Sequence, residues 1–324
     1  MTYNKSLQGR FVAAGYPAAT MLVVAALLWL AGGWGEMGGV RTFPDTIGLD
    51  FVGDIPARAI SLLSYVAAAF ILGNLYLFEK RLHWLSPVFL WVVSVMFFLH
   101  RDYLTALSVM AFVLVLAQVF YACRDVGDVR SLYGAFALLS FLSLFLLQFI
   151  YLLPLFLGFF LLTKARSVRG FFAALLGVIT PYWMLWGVSF VFPQAFWLTL
   201  PLEASYLNII TPAAISLSPL LLFVQFMECV VWIAALVYFF NSSFPSKPLL
   251  RKRLLLFMCL NLYLWLLSWV VPQDYVLLLA WRLPGVAVMA SYLFAVKITK
   301  FSNILFVLIN VLWIIIAVWC LWIG

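Results

Sequence analysis

The sequence is short of charge, of cysteine and of histidine, and each shortage excludes a class of protein. Only 9% of the 324 residues are charged, whereas 67% are hydrophobic, so the chain cannot cover itself with the charged surface of a water-soluble domain. Two histidines are too few for a histidine-rich iron site. The four cysteines form no CxxC pattern, which argues against a disulfide framework and a zinc site. We therefore expect neither a metal centre nor a cofactor.

Long apolar runs recur from about residue 13 to the end of the chain. About 20 helical residues cross about 30 Å of hydrocarbon, and lipid offers the backbone no hydrogen bonds. The runs predict an all-α, polytopic integral membrane protein of about eleven transmembrane helices. They form a single domain, residues 1–324, with an outer loop at 33–57. The predicted helices are 13–32, 58–78, 84–100, 102–122, 131–147, 149–163, 169–192, 213–240, 250–271, 275–296 and 302–323.

The division between the fifth and sixth segments is the hardest to place. The run "FALLSFLSLFLLQFIYLLPLFLGFFLL" is too long for one ordinary span and short for two. Gln148 and Pro154 favour a break, because proline removes a helical N–H and clashes with the preceding turn. Residues 131–163 are therefore either one long helix or, as we expect, two short ones.

Basic residues segregate to one side of this topology. With a cytoplasmic N-terminus, 15 of the 19 Lys and Arg residues fall in inner loops and 7 of the 11 Asp and Glu residues lie outside. The positive-inside rule then predicts a bacterial inner-membrane protein with a periplasmic C-terminus and a first helix that is not a cleaved signal peptide. The net charge of +8 suits membrane lipids as partners and needs no nucleic acid.

Charged residues on the outer side are candidates for chemistry. The carboxylates of Glu36, Asp54 and Asp102 would act on a sugar or lipid hydroxyl, with Arg58 and Arg101 binding phosphate. The alternative is structural: Asp54 starts a turn, and Arg58 and Arg101 reach the lipid headgroups. Arg282 is a further phosphate-binding candidate; it lies about two turns inside its segment, where reaching the headgroups is harder.

Glu228 is an acid in the middle of an apolar segment, "SPLLLFVQFMECVVWIAALVYFF". An intramembrane acid is a candidate proton carrier in a transporter. Gln225 lies one turn earlier on the same helical face. A structural hydrogen bond between a protonated Glu228 and a polar neighbour is the alternative.

Parts of the chain resemble an uncharacterised family of multi-pass inner-membrane proteins from Bacteroidetes. The resemblance spans about residues 58 to 300. It depends on the short helices broken near Gln148, on the Gly-x-x-x-Pro-Tyr of residues 177–182 and on "DYVLLLAWRLPGVAVMASYLF". These are patterns of apolar runs and breaks.

More distantly, the same succession looks like the GT-C class of membrane glycosyltransferases. That resemblance implies a GT-C-like helical arrangement and a polyprenyl-phosphate sugar donor on the outer face. By position, it implies Glu36 or Asp54 as catalytic base, Asp102 with Arg101 in a second polar turn, and Arg282 at the donor phosphate. The first outer loop has no Asp-Glu or Glu-x-Asp pair, which departs from the pattern of that class.

Three functional hypotheses follow. The first is a transferase, or a degenerate relative, that uses a lipid-linked sugar in envelope glycoconjugate assembly. The second is a proton-coupled transporter or flippase that uses Glu228. The third is a non-catalytic membrane assembly partner.

Overall fold

A computed structural model describes seven stretches of the chain: residues 54–74, 103–124, 129–162, 167–192, 219–241, 248–296 and 300–323. Within them every residue is helical except Leu146, Ser167, Phe192 and Val271. The all-α prediction is confirmed for this part of the chain. The α-helices, numbered here in chain order, are α1 (Asp54–Asn74), α2 (Tyr103–Arg124), α3 (Val129–Phe145), α4 (Leu153–Leu162), α5 (Val168–Val191), α6 (Pro219–Asn241), α7 (Pro248–Val270), α8 (Tyr275–Val296) and α9 (Lys300–Ile323).

These helices coincide closely with nine of the predicted segments. The first and third, 13–32 and 84–100, lie outside the described residues. Among the described helices, four contain a stretch long and apolar enough to cross a membrane: Tyr103–Tyr121, Val168–Val191, Leu222–Phe240 and Tyr275–Phe294. The count of eleven and the GT-C-like arrangement stay predictions.

The predicted break before Pro154 is confirmed. Helix α3 ends at Phe145, Leu146 has extended backbone angles of −133° and 98°, and a 3-10 helix covers Leu147–Leu152. Pro154 is the second residue of α4, where its missing N–H has no helical partner to lose. Gln148 projects from the break, and its side-chain amide donates to Asp274 Oδ1 at 3.2 Å.

The described residues fall into two compact units. One comprises the described residues of Met1–Met110, Ala214–Ser268 and Tyr275–Gly324; the other comprises those of Ala111–Ala213 and Trp269–Asp274. We call them the first and the second unit. The expectation of a single domain over residues 1–324 stays a prediction.

Helices α3 and α5 form a close pair in the second unit. The hydroxyl of Ser140 donates to the Val178 carbonyl at 2.6 Å, and the hydroxyls of Ser143 and Tyr182 are 2.7 Å apart. Ser167 begins α5 by accepting a hydrogen bond from the Gly170 N–H at 3.0 Å. Small side chains and interhelical hydrogen bonds are the usual means of packing helices where lipid removes the hydrophobic driving force.

The other face of α5 is apolar and exposed, with Trp183, Trp186 and Phe190 on it. Its hydroxyl side chains bond to their own helix: Thr180 donates to the Leu176 carbonyl and Ser189 to the Trp186 carbonyl, each at 2.6 Å. Such a face presents no unsatisfied hydroxyl to its surroundings, which makes it compatible with hydrocarbon.

Helix α8 forms the core of the first unit. Its stretch Tyr275–Phe294 is entirely buried, and Trp281 and Tyr292 are among the largest enclosed side chains. The indole N–H of Trp281 donates to Ser108 of α2 at 3.1 Å. A helix that is apolar on all sides is typical of a buried position, and the one charge in this stretch, Arg282, is buried with it.

We predict that Gly177→Ala destabilises the protein and that Gly187→Ala does not. A methyl group at Gly177 would lie 2.7 Å from the Tyr133 carbonyl oxygen and would force α5 away from α3, whereas nothing lies within 4 Å of the same position at Gly187. Overpacking of this kind costs about 1–3 kcal/mol, while alanine in an open helical site gains about 0.5–1 kcal/mol. Thermal unfolding of both variants in detergent measures the difference, and equal shifts would contradict the packing described.

Candidate functional site

The centre of the candidate site is an ion pair between two helices of the first unit. Glu228 lies in the middle of α6, and Arg282 lies two turns into α8. Arg282 Nη2 is 3.3 Å from Glu228 Oε2, and the side chains are 2% and 5% exposed. Taking two charges out of water is costly, and only their mutual attraction and further hydrogen bonds offset the cost. The two charges therefore require each other at this depth.

A hydrogen-bonded tyrosine links the pair to the preceding turn of each helix. Tyr275 lies seven residues before Arg282, about two helical turns along the same face. Its hydroxyl donates to Gln225 Oε1 at 2.8 Å and is hydrogen-bonded to Arg282. Gln225 in turn lies one turn before Glu228. Two polar residues of α6, Gln225 and Glu228, thus face two of α8, Tyr275 and Arg282. These contacts set the register of the two helices.

The ion pair leaves hydrogen-bonding capacity unused. Both carboxylate oxygens of Glu228 and the Nε and Nη2 atoms of Arg282 are buried and have no hydrogen-bond partner among the described residues. The 3.3 Å contact is thus an ion pair without hydrogen-bond alignment. A buried group left in this condition costs about 1–3 kcal/mol, more when it is charged. The arrangement has room for a further polar group.

Helix α7 contributes Asn261 to the same place. Its side-chain N–H donates to the Phe257 carbonyl at 3.0 Å, whereas its Oδ1 has no partner in the described part of the chain. Asn261 lies directly against Gly285 of α8. A Cβ at Gly285 would overlap the Asn261 amide nitrogen and lie 2.8 Å from its Cγ. Glycine at this position is what admits the amide between α7 and α8.

These polar groups line a cavity of about 230 Å³, here called the Glu228–Arg282 cavity. Trp232 closes one wall, since its indole N–H donates to the Met258 carbonyl of α7 at 3.2 Å. Ile233 and Leu262, which also line the cavity, are 53% and 41% exposed and therefore form its mouth. The full lining is Glu228, Cys229, Trp232, Ile233, Asn261, Leu262, Trp265, Arg282 and Val286. The surface that the cavity exposes is almost entirely apolar, and the charged atoms of Glu228 and Arg282 lie buried behind its inner end.

The structure brings together two of the predicted site residues, Glu228 and Arg282. Asp54 and Arg58 belong to α1, but their side-chain placement is outside the described part. Three further predicted residues lie outside the described residues altogether: Glu36, Arg101 and Asp102. Their catalytic and phosphate-binding roles stay predictions.

The pairing of Glu228 with Arg282 was not predicted from the sequence, and neither were the roles of Asn261 and Tyr275. A signal for the pairing was present, because two opposite charges inside apolar helices usually bind each other. Nothing in the local sequence distinguishes Asn261, since its role depends on Gly285 of another helix. Among the described residues, no group of three His, Cys, Asp or Glu side chains is placed to hold a metal ion.

A second buried acid, Asp274, lies in the second unit. It ends the 3-10 helix Pro272–Asp274 between α7 and α8. It accepts hydrogen bonds from Gln148 and from the Tyr151 hydroxyl. Burial raises the pKa of the Asp274 carboxyl above its ordinary value of 3.8, and the two hydrogen bonds oppose that rise. This acid has its partners within the second unit, at the break between α3 and α4, so we assign it a structural role.

We predict that the two charges of the Glu228–Arg282 pair are strongly coupled in stability. Glu228→Leu strands a buried guanidinium and should cost about 3–5 kcal/mol, whereas Glu228→Leu combined with Arg282→Met should recover most of that loss. Arg169→Ala, which removes an exposed arginine at the start of α5, should change stability by less than about 0.5 kcal/mol. Thermal unfolding in detergent measures all three. If Glu228→Leu alone were at least as stable as the double variant, the coupling would be contradicted.

We predict that Asp274 makes the protein less stable as pH rises. Because its folded pKa is raised, its contribution is fully present below the ordinary value and is lost as pH increases through the raised pKa. Asp274→Asn, which imitates the protonated acid, should remove that loss. Melting temperatures of the two proteins should therefore diverge as the pH rises above the ordinary pKa of 3.8, with that of the wild type falling. If the melting temperatures of wild type and Asp274→Asn changed in parallel with pH, the predicted role of Asp274 would be refuted.

Comparison with known proteins places the chain in no group. No protein-family model, no curated protein and no solved structure matches it. The chemistry of the Glu228–Arg282 cavity is therefore the basis for a functional proposal.

Proposed function

We propose that this chain is an integral membrane protein that carries an amphipathic substrate across the bilayer, as a proton-coupled transporter or flippase. The Glu228–Arg282 cavity is its substrate site. The observation that carries the proposal is the buried ion pair 3.3 Å apart, whose polar atoms lack hydrogen-bond partners among the described residues and whose side chains adjoin a cavity of about 230 Å³.

A purely structural ion pair would be expected to saturate its hydrogen bonds. In the interior an unsatisfied polar network is less stable than an apolar core of the same volume. A substrate group that enters the cavity would complete the missing bonds. The energetic cost of the empty site therefore becomes binding energy for the ligand.

The proposal includes a membrane location and an orientation. The four apolar helices and the exposed face of α5, whose hydroxyls bond to their own helix, support lipid as the surroundings. The segregation of basic residues supports the bacterial inner membrane with the N-terminus in the cytoplasm and the C-terminus in the periplasm. Membrane lipids are then the immediate partners of the chain.

The transferase hypothesis has less support in the described residues. Of its phosphate-binding candidates, Arg282 is the one with a described side chain, and that side chain pairs with Glu228 of α6. A lipid-linked sugar as donor, with Asp54 or Glu36 as catalytic base and Asp102 in support, remains a separate proposal. It requires that glycoconjugate assembly depend on Asp54.

Transport can be measured in proteoliposomes that contain a trace of fluorescent NBD-phosphatidylglycerol and carry an imposed pH gradient. Dithionite reports how much probe has changed leaflet. We expect the wild type and Arg169→Ala to move the probe faster when the gradient is present. We expect the combined Glu228→Gln, Arg282→Met variant to fall to the protein-free rate, because it keeps the volume of the pair and removes both charges.

Two results would contradict the proposal. One is equal movement of the probe by the wild type and the combined variant. The other is loss of cellular glycoconjugates in Asp54→Ala with no effect of the combined variant, which favours the transferase.

A further inference from the structure

The two members of the buried pair differ in one chemical respect. Arginine keeps its proton at every accessible pH, whereas a carboxylate can take one up. The positive charge of Arg282 is therefore permanent, and the negative charge of Glu228 is removable. Any ionic ligand of the Glu228–Arg282 cavity must be compatible with this asymmetry.

Charge balance then restricts the ligand. A buried site tolerates net charge poorly, and the empty pair is neutral. A bound cation would leave the site at +1, since Arg282 cannot lose its charge. A bound monoanion would leave it at −1, unless Glu228 takes up one proton; in that case the site is neutral again, with the anion in place of the carboxylate at Arg282.

The neighbouring groups support Glu228 as the place of that proton. The ionisable groups that interact electrostatically with it are Arg282 and Tyr275 on α8 and Cys229 on α6. Helix α7 contributes the uncharged Asn261. Asn261 Oδ1 is an acceptor without a partner in the described part of the chain. A protonated Glu228 carries the donor that this oxygen lacks.

The remainder of the lining indicates an apolar tail. Trp232, Trp265 and Val286 enclose the charged end, and the exposed Ile233 and Leu262 form the mouth. The volume of about 230 Å³ equals that of about eight water molecules at about 30 Å³ each. It is below the usual range of pockets that enclose a whole ligand, about 300–1,000 Å³. The cavity therefore fits a headgroup whose tail leaves through the mouth.

We propose that the Glu228–Arg282 cavity binds a monoanionic amphiphile together with one proton, the anion taking the place of the Glu228 carboxylate at the Arg282 guanidinium and the proton going to Glu228. This identifies the substrate class of the proposed transporter and rests on that function for the site's physiological use. On binding, one proton passes from solvent to the Glu228 carboxylate, and no other covalent bond forms or breaks. The arginine exchanges one oxyanion partner for another.

Calorimetric titration in two buffers of different ionisation enthalpy measures both binding and proton uptake. The protein is the full chain in a neutral detergent. The ligands are dihexanoylphosphatidylglycerol as monoanion, dihexanoylphosphatidylcholine as zwitterion with the same tails, dodecyltrimethylammonium as cation, and dimethyl phosphate as the same anion without a tail. We expect the monoanionic lipid to bind with uptake of about one proton, because the buried site remains neutral.

Variants separate the two charges. Glu228→Gln is already neutral and should bind the monoanionic lipid without proton uptake. Arg282→Met in that background should weaken binding by about tenfold or more, since it removes charged hydrogen-bond donors. Arg169→Ala should bind as the wild type does. Because the combined variant contains no buried charge, loss of binding in a folded protein is attributable to the missing guanidinium.

Each other result overturns the inference. Binding of the monoanionic lipid without proton uptake, equal or tighter binding of the zwitterion or the cation, and absence of any binding all contradict the charge argument. Equal binding of dimethyl phosphate contradicts the role of the tail. The calorimetric experiment does not depend on transport. Binding with proton uptake, without movement of the lipid probe in proteoliposomes, would refute only the proposed transporter. Movement of the lipid probe, without binding coupled to proton uptake, would refute only this inference.

Discussion

The burial of the guanidinium of Arg282, a residue of α8, is the constraint on which the arrangement of the first unit depends. A permanent charge enclosed by apolar side chains is tolerated only beside a counter-charge. Glu228 supplies that charge from α6, and Tyr275 bonded to Gln225 keeps the two helices in register one to two turns away. Asn261 joins from α7 through the space that Gly285 leaves. The ion pair thus joins α6 to α8, and the contact of Asn261 with Gly285 joins α7 to α8.

The second unit shows the other way of joining apolar helices. Helices α3 and α5 meet where Gly177 lets the Tyr133 carbonyl approach, and Ser140 bonds to the Val178 carbonyl. No charge takes part in these contacts. Association of this kind depends on fit and on interhelical hydrogen bonds, so it gives rigidity without a reactive group. The contrast identifies the charged helices as the place where chemistry is expected.

The incomplete hydrogen bonding of the Glu228–Arg282 pair is what separates a functional proposal from a structural one. A network with every partner in place would stabilise a unique packing. Here the carboxylate, the guanidinium and the Asn261 oxygen have hydrogen-bonding capacity that no described residue uses, directly behind the apolar wall of a cavity. An anion that enters while Glu228 takes up one proton would remove the deficit without adding net charge. The apolar mouth at Ile233 and Leu262 would then suit the apolar tail of the proposed ligand.

The helical class and most helix positions could be predicted from the sequence. An apolar run in which every backbone group must bond within its own segment has few structures open to it. The break near Gln148 and Pro154 was predictable for an equally local reason, because proline limits which positions it can occupy in a helix. Tertiary structure alone decided that Glu228 faces Arg282, that Asn261 lies on Gly285, and that a cavity opens between them. Two opposite charges inside apolar helices indicate that each needs a partner, but residues 54 positions apart in sequence meet only through the packing of α6 against α8. That packing is decided by the fit between side chains, which no local sequence pattern specifies.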